Sequence, residues 1–355
     1  MLRDTEVAAP LYLSHPSALS VLYGSVEGHS KAGAPVFAGT AGTVVTRRNR
    51  QGFEFYARRY YDGDGRQREQ YVAGPAGTAD ADHRAEELKR QIEEVKALLP
   101  DLRLLGREGF QLADGKTYAT LAALQLNGLF AAGAVLIGSH AFGVLLNHLG
   151  VKAAAYATED IDIARREALA FPSAVGKPFL EILRESGIAF VEVPKLDPRQ
   201  PSTSFKQRGT SRFHVDLLVP SRDDSFPIVP VPELQTHATG LPYLAYLLGE
   251  AHQAALLARE GCCPVNVPLA ERFAVHKLLI SQLRRGTSGK ADKDVLQACV
   301  LLAVLGEKHP GAIEHAVHRL PNSARRYVRK ALGPARQRLL EPHPRALEEL
   351  EAALS

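Results

Sequence analysis

The chain of 355 residues is 45% hydrophobic and 23% charged, which is ordinary for a folded protein and long enough for two or three domains. Its net charge of +4 is only mildly basic, so it permits an anionic partner without requiring one. Three cysteines, two of them adjacent at Cys262 and Cys263, argue against a disulfide scaffold and a zinc site. The start lacks the pattern of a secretion signal and no run of roughly 18 apolar residues occurs, so we expect a cytoplasmic protein with no membrane partner.

The N-terminal region, residues 1–132, is predicted to combine β-hairpins with helices. Residues 42–74 are rich in aromatic and β-branched residues and are interrupted by Gln-Gly and Asp-Gly, which indicates one or two hairpins. A charged helix is predicted over 79–100, ended by Pro100, and an apolar helix is predicted over 116–133.

Strands and helices alternate through a core that we place at 133–235, which indicates an α/β or α+β unit. The predicted elements are a strand at 134–137, a helix beginning near Ser139, strands at 159–164, 188–193 and 213–219, and a helix at 176–187. Beyond residue 235 no further strands are expected, and a helix is predicted over 241–258. The pattern is helical almost throughout 268–352, so residues 236–355 are predicted to form a C-terminal helical domain.

Two aspartates, Asp160 and Asp162, alternate with isoleucines in the sequence DIDI. Successive side chains of a strand point to opposite faces, so both carboxylates should share one face while Ile161 and Ile163 enter the core. Asp216 sits in a second apolar strand, FHVDLLVPS, where a lone buried carboxylate would be costly. Together the three acids predict a carboxylate cage that holds two Mg²⁺ ions for attack on a phosphoryl group. The alternative is three ordinary strand-end aspartates that make turns or salt bridges.

A glycine and a serine, Gly138 and Ser139, separate the strand at 134–137 from the helix that follows. Free N–H groups at a helix start, helped by the helix dipole, can bind a phosphate, and glycine allows a ligand to approach closely. For this pair alone, an ordinary turn is the alternative.

The order Gly-Ser, Asp-x-Asp on the next strand and a later strand aspartate resembles the signature of the DNA polymerase β-like nucleotidyltransferase superfamily, over residues 133–220. The stretch GSHAFGVLLNHLGV followed by TEDIDIA looks like one bacterial subfamily. The resemblance implies an α+β fold, with a mixed sheet and flanking helices. It also implies a turn that binds a nucleoside triphosphate such as ATP, and three catalytic residues that ligate the metal ions. These residues are Gly138, Ser139, Asp160, Asp162 and Asp216.

The basic residue that usually follows the Gly-Ser turn in this superfamily is absent, so the triphosphate charge must be neutralised from elsewhere. Lys277 on a largely apolar helix, with Asp294 on a later one, resembles the nucleotidyltransferase toxins of bacterial toxin–antitoxin systems. That resemblance implies that Lys277 contacts the triphosphate and that Asp294 supports the site. The alternatives are a solvated lysine and a surface ion pair. Arg208 and Arg212, in the loop before the last core strand, are further candidates for binding the phosphates.

The β segment at 47–68 carries seven arginines against three acidic residues, interleaved with five aromatic residues. Arginines with aromatic rings suit an RNA backbone and unstacked bases, although a twisted hairpin with buried aromatics has the same composition. Residues 270–355 hold fifteen Lys and Arg against nine Asp and Glu, which makes a second basic module. Two such modules fit an RNA acceptor such as a tRNA, or a protein partner with an acidic face such as an antitoxin.

The leading hypothesis is a metal-dependent nucleotidyltransferase that transfers a nucleotide from a nucleoside triphosphate to an acceptor hydroxyl and releases pyrophosphate. The acceptor candidates are a tRNA 3′ end, a protein hydroxyl and a small molecule. One alternative is an inactive module with the same fold that binds RNA or a partner protein. Another is a phosphohydrolase that uses the same carboxylates. The sequence does not indicate the preferred nucleotide, the oligomeric state or whether an antitoxin exists.

Overall fold

The computed structural model describes residues 9–154, 158–171, 177–197, 199–222, 225–284 and 288–355. Within these ranges no helix is long and apolar enough to cross a lipid bilayer. The helices are α1 (Ser17–Lys31), α2 (Ala79–Arg107), α3 (Gly115–Leu126), α4 (Gly138–His148), α5 (Phe179–Arg184), α6 (Leu244–Leu247), α7 (Ala270–Leu283), α8 (Ser288–Lys308), α9 (Ala312–His318), α10 (Asn322–Leu339) and α11 (Pro344–Leu354). The strands are β1 (Leu13–Ser14), β2 (Thr43–Arg48), β3 (Glu54–Tyr61), β4 (Gln67–Ala73), β5 (Val135–Ile137), β6 (Val151–Lys152), β7 (Asp160–Ala164), β8 (Phe190–Glu192), β9 (Ser204–Gln207), β10 (His214–Pro220), β11 (Ile228–Val231), β12 (Thr236–Leu241), β13 (Ala251–Leu257) and β14 (Cys262–Pro268).

A seven-stranded mixed sheet forms the centre of the molecule, with the order β11-β12-β10-β7-β5 and with β9 and β8 extending from β10. β7 and β10 run parallel, whereas β5 pairs antiparallel with β7, and β9 pairs antiparallel with β10. β7 and β10 form strands because apolar side chains such as Ile161 and Val215 recur at every second position and are fully buried. The predicted mixed sheet with helices around it is confirmed.

One continuous apolar core joins this sheet to the helices that precede and follow it. It includes Leu121 of α3, Ile161 of β7, Leu278 of α7 and Leu347 of α11, all of them buried. The C-terminal helices therefore bury their apolar faces in the same core as the sheet. The division of the chain into three regions stays a prediction.

The helix that was expected to end at Pro100 continues to Arg107. Proline inside a helix removes one backbone hydrogen bond and costs about 3 kcal/mol. Two residues beyond it, Leu102 and Leu105, are fully buried against α1 and the β13–β14 pair. Burying two leucines contributes about 3–6 kcal/mol, which offsets the cost of the proline.

The prediction of a helix over 241–258, with no strand beyond 235, is wrong. This segment holds the end of β12, the single turn α6 and the strand β13, which pairs antiparallel with β14. β13 and β14 pack against α1, α3 and α4, so the last residues of β13 are buried on both faces. A strand covered on both faces shows a continuous apolar run, which periodicity alone does not distinguish from a buried helix.

Two predicted helices are shorter in the structure. The apolar helix α3 ends at Leu126, because Gly128 adopts a left-handed conformation with φ of 76° and turns the chain toward β5. The helix expected at 176–187 is α5, and residue 176 lies outside the described residues. From residue 270 onward the described chain is helical, as predicted.

The N-terminal segment 42–74 forms a three-stranded antiparallel sheet, β2-β3-β4, so the prediction of two hairpins is confirmed. One face of this sheet packs on α2 through a small apolar cluster that includes Phe37, Val44 and Ile92. The hydroxyl of Tyr56 donates to Asp82 of α2 at 2.7 Å. This face of the sheet is therefore anchored on α2.

A polar cluster ties the start of the described chain to its last helices. The Leu11 N–H donates to Nε2 of His343, just before α11, at 3.0 Å. The other ring nitrogen of His343 contacts Glu307 of α8, which also accepts a hydrogen bond from Tyr12. His343 is buried, so the cluster lies inside the packed structure.

A carboxylate at Glu27 joins α1 to α4. Glu27 lies 3.0 Å from Nδ1 of His148 and 3.2 Å from Lys31, and it accepts a hydrogen bond from Tyr23 at 3.1 Å. Burial acts to raise the pKa of Glu27, but His148 and Lys31 together outweigh it and lower the pKa to about 2. The ionised carboxylate therefore stabilises the fold.

We expect Glu27→Gln to lower the free energy of unfolding by about 1–3 kcal/mol at neutral pH, because its charged hydrogen bonds are lost. A depressed folded-state pKa gives stability that is present above the ordinary value of 4.5 and is lost as pH falls toward about 2. Chemical denaturation across this range should therefore show the difference between variant and parent shrinking in acid. Glu86→Gln, on the exposed surface of α2, is the control, and a gap that does not change with pH would contradict the assignment.

Candidate functional site

Three carboxylates lie on one face of two neighbouring strands. In the parallel pairing of β7 with β10, Asp162 is level with Asp216, and Asp160 is level with His214. The intervening residues, such as Ile161, are fully buried on the opposite face. The three acids therefore share one face of the sheet, and Asp162 and Asp216 are direct cross-strand neighbours. The predicted metal cage stays a prediction.

His214 is an internal cation between two of these acids. Its Nδ1 lies 3.3 Å from Asp160 Oδ1, and its Nε2 lies 3.5 Å from Asp216 Oδ2. The interaction with Asp216 raises the pKa of His214 to about 9 against the effect of burial, so the ring is protonated at neutral pH. Burial acts to raise the pKa of Asp216, but His214 and a hydrogen bond from the Ser204 hydroxyl lower it below its ordinary value.

Asp162 is the acid whose charge is least compensated. Burial and the neighbouring charge of Asp216 raise the pKa of Asp162 to about 6, while Lys277 acts in the opposite direction. A half-buried carboxylate beside a second carboxylate favours the binding of a cation.

The turn at Gly138 faces Asp162. Gly138 has φ of 70°, and a Cβ atom there would collide with Asp162 Oδ2, so only glycine lets the turn come this close. α4 begins at this turn, and within the described chain no side chain caps its first N–H groups. These N–H groups and the positive end of the helix dipole are therefore free to bind an anion.

Lys277, Asp294 and Arg284 form an ion cluster between α7 and α8, in which Lys277 and Asp294 are buried and Arg284 is exposed. Lys277 Nζ lies 2.7 Å from Asp294 Oδ1, and Arg284 Nε lies 2.6 Å from Asp294 Oδ2. Lys277 is 7% exposed and Asp294 is 2% exposed. Neither the solvated lysine nor the surface ion pair that the sequence left open is therefore found. One carboxylate balances two cations, which leaves net positive charge.

A cavity of about 770 Å³ joins the turn at Gly138 to Asp162 and to the two cations of this cluster. Among the described residues, Asp160, Asp216 and Ser139 do not line it, and Ser139 lines a separate pocket beside His140. Gly138, Asp162, Lys277 and Arg284 line its charged end. Most of the remaining lining is apolar or aromatic and comes from β10, β12, α6, α7, α10 and the segment before β11. A cavity of this kind suits a ligand with an anionic group and a flat apolar part.

The acids fit a divalent cation in the chemistry of their side chains. All three are carboxylates, the ligands that Mg²⁺ prefers, and Asp162 lines the cavity beside the turn. Among the described residues, no three His, Cys, Asp or Glu side chains are close enough together to hold a metal ion. His214 lies between Asp160 and Asp216 instead, so a metal ion would take the place of its imidazolium.

The predicted phosphate ligands Arg208 and Arg212 lie apart from the cavity. Both are exposed in the turn between β9 and β10, and neither is among the described residues that line the cavity. The carbonyl of Arg212 contacts Nδ1 of His214 at 2.8 Å, so this turn holds the imidazole that bridges the acids. Their role toward a phosphate stays a prediction.

Sequence reasoning missed several residues that line the cavity. His276 is buried beside Lys277, and its Nε2 has no hydrogen-bond partner among the described residues. Phe226 and Tyr327 contribute aromatic rings from segments about a hundred residues apart in the chain. No local pattern marks these residues, because only the tertiary fold brings them to the acids.

A glycine turn between strand and helix, acids on two adjacent strands and a cationic cavity together define a class of protein that handles phosphates. A nucleotidyltransferase family model matches residues 116–321, which is more than half of the chain and includes the turn, the acids and Lys277. The chain therefore belongs to the nucleotidyltransferase family. Nucleotidyltransferases generally use nucleoside triphosphates and divalent metal ions, and the membership supports a transferase activity. No curated protein is significantly similar in sequence.

We expect Gly138→Ala to destabilise the protein more than Gly128→Ala does. Both glycines have positive φ, of 70° and 76°, so each alanine costs about 1–2 kcal/mol in backbone energy. Only at Gly138 does the new methyl group also meet Asp162, since Gly128 has open space around it. Chemical denaturation measures both losses, and equal losses would contradict a tight contact between the turn and Asp162.

Proposed function

We propose that the protein is a metal-dependent nucleotidyltransferase that transfers a nucleotide from a nucleoside triphosphate to an acceptor hydroxyl. The observation that carries this proposal is the cross-strand pair Asp162 and Asp216, of which Asp162 contacts the turn at Gly138 and lines the cationic end of the cavity. Carboxylates side by side disfavour folding, and they favour chemistry in which divalent cations handle phosphates.

The triphosphate binds at the charged end of the cavity. The uncapped N–H groups at the start of α4, where Gly138 lines the cavity, contact its oxygens, and Lys277 and Arg284 neutralise its charge. Ser139 contributes through its backbone N–H in the same helix turn, since the residue lines the neighbouring pocket. The base extends into the apolar part, where aromatic rings such as that of Tyr327 are available for stacking.

Asp160, Asp162 and Asp216 hold the divalent ions, and Mg²⁺ is the first candidate because every ligand is a carboxylate oxygen. When bound, such ions neutralise the charge that develops on the transferring phosphoryl group. The residues of the chain orient the α-phosphate between the turn and Lys277. A bond forms between the acceptor oxygen and the α-phosphorus, the bond from that phosphorus to pyrophosphate breaks, and the hydroxyl proton is released to solvent.

The proposed acceptor is RNA, and the proposed subfamily is that of toxin-like nucleotidyltransferases. RNA, for example a tRNA 3′ end, is favoured over a protein hydroxyl or a small molecule, because two segments of the chain are basic. Arg208 and Arg212 are exposed and could contact such an acceptor or the triphosphate. The resemblance at Lys277 and Asp294 supports a toxin-like enzyme with an antitoxin partner.

An inactive module that binds RNA or a protein is the second candidate. It is favoured by the position of His214, which already compensates Asp160 and Asp216 without a metal ion. The uncompensated charge of Asp162 counts against it, because a site without catalysis gains nothing from two carboxylates side by side.

The test is incubation of the protein with each labelled nucleoside triphosphate, a divalent metal ion, and total RNA or protein. We expect label in an acceptor and pyrophosphate as the second product. Inorganic phosphate as the product would instead indicate a phosphohydrolase. Binding of RNA or protein without incorporation would indicate the inactive module.

We expect Asp162→Asn to abolish transfer while the free energy of unfolding in metal-free buffer stays equal or rises by about 1 kcal/mol, because a like-charge contact is removed. Asp160→Asn and Asp216→Asn should also abolish transfer. Asp80→Asn, on the exposed surface of α2, is the matched control and should change neither quantity. Undiminished transfer by the three site variants would refute the proposed function.

We expect Lys277→Gln to raise the KM for the triphosphate by about ten-fold or more, because one charged contact to phosphate is lost. Asp294 keeps Arg284 as its partner in this variant, so the fold should be retained. Lys290→Gln, at an exposed position of α8, provides the control. An unchanged KM with a reduced Tm would mean that Lys277 only supports the fold.

A further inference from the structure

The face of the β2-β3-β4 sheet that points away from α2 carries exposed aromatic rings around an arginine. Ala57, Arg59 and Tyr61 alternate along β3 and therefore share one face, and Tyr71 of β4 pairs with Ala57 on that face. Tyr61 is 52% exposed and Tyr71 is 63% exposed, and Arg59 between them is also exposed. We call Arg59, Tyr61 and Tyr71 the aromatic–arginine stripe.

The opposite face explains why these rings are not held in a core. There Arg58 is buried, with its guanidinium 4.4 Å from the centre of the Phe37 ring and donating to the carbonyl of Ala41. Val44, which is level with Arg58 on this face, joins the apolar cluster that includes Ile92 of α2. Tyr61 and Tyr71 lie on the other face, where their rings are open to solvent and available to a partner.

The charge around the stripe is positive. Residues 43–73 contain seven arginines and four acidic residues. Arg47, Arg48 and Arg68 form ion pairs within the sheet and its turn. Arg59 and Arg66 are exposed. Arg59 is level with Glu69 of β4, whose pKa is lowered mainly by Arg47 and also by Arg59, so an anionic partner would share Arg59 with Glu69. The excess of arginines over acidic residues leaves the surroundings of the stripe positive.

The turn between β3 and β4, next to Tyr61, lies against the sheet that carries the acids. Gln207 of β9 donates to Asp64 of this turn at 2.6 Å. A Cβ atom at Gly63 would press against a side chain of α3, which shows how closely the turn packs. β9 pairs with β10, the strand of Asp216. The stripe therefore starts beside the catalytic sheet and leads away from it.

We propose that the aromatic–arginine stripe docks single-stranded RNA, the acceptor of the proposed nucleotidyl transfer, on which this inference rests. Tyrosine rings stack on unpaired bases and an arginine between them contacts the phosphates, which is how single strands are held without sequence preference. Tyr61 and Tyr71 are separated by about 13 Å along the strand direction, so the bases that they hold are not adjacent. One end of the stripe lies beside the turn that contacts β9, the neighbour of the strand that carries Asp216.

The test measures binding of the full-length protein to labelled single-stranded RNA of about 12 nucleotides, by fluorescence anisotropy. The double variant Tyr61→Ala/Tyr71→Ala should raise the Kd by about ten-fold or more. Tyr61→Phe/Tyr71→Phe keeps the rings and should bind like the parent. Arg59→Glu should weaken RNA binding and make the Kd less dependent on salt concentration. Arg103→Glu changes an exposed residue of α2, serves as the control, and should bind RNA like the parent.

The outcomes separate this inference from the proposed function. Loss of RNA binding in the alanine variant, with the KM for the triphosphate unchanged, supports the docking surface. Transfer to a protein acceptor without RNA binding overturns the docking surface and leaves the transferase in place. RNA binding through the stripe without any transfer supports docking and overturns the enzyme. Binding only to DNA of the same sequence, or equal binding by parent and alanine variant, overturns the assignment of RNA to this surface.

Discussion

The parallel register between β7 and β10 is the constraint on which the candidate site depends. It sets Asp162 beside Asp216 and turns Ile161 and Val215 into the core, where both are fully buried. A shift by one residue would exchange the two faces of a strand, burying carboxylates and exposing apolar side chains. The burial of apolar groups on one face therefore fixes the position of the charges on the other. Packing and chemistry are specified here by the same alternation of residues.

Separate elements balance the charge that this register concentrates. His214, from the same strand as Asp216, contacts two of the acids, and across the cavity Asp294 holds Lys277 and Arg284. Removing one partner of a buried ion pair typically costs about 3–5 kcal/mol, so the cluster also fixes α7 against α8. An anionic ligand that enters the cavity meets cations already held in position, which lowers the cost of reorganisation.

The parts of the site that the sequence predicted are those with local signals. Alternation placed the aspartates on one face, and the Gly-Ser pair placed the turn, because both patterns follow from the geometry of a strand and its end. The burial of Lys277 with Asp294 depends on how two helices pack and leaves no local trace. The strand β13, inside 241–258, shows no alternation of apolar and polar residues because its last residues are buried on both faces. The helix α2 continues beyond Pro100 because Leu102 and Leu105 are buried there. The remaining errors therefore come from tertiary packing that outweighs local preference.

The hydrogen bond between Leu11 and His343 joins positions 332 residues apart in the chain. Closing so large a loop costs chain entropy, so the contact forms only when the intervening structure is already in place. If the segment at Leu11 detached, the buried ring of His343 would lose its hydrogen-bond partner at Nε2. If the segment at His343 detached, the backbone N–H of Leu11 would lose its acceptor. Local fraying at these two distant places is therefore energetically linked, and their amide hydrogens exchange with solvent through a shared, cooperative opening rather than independently.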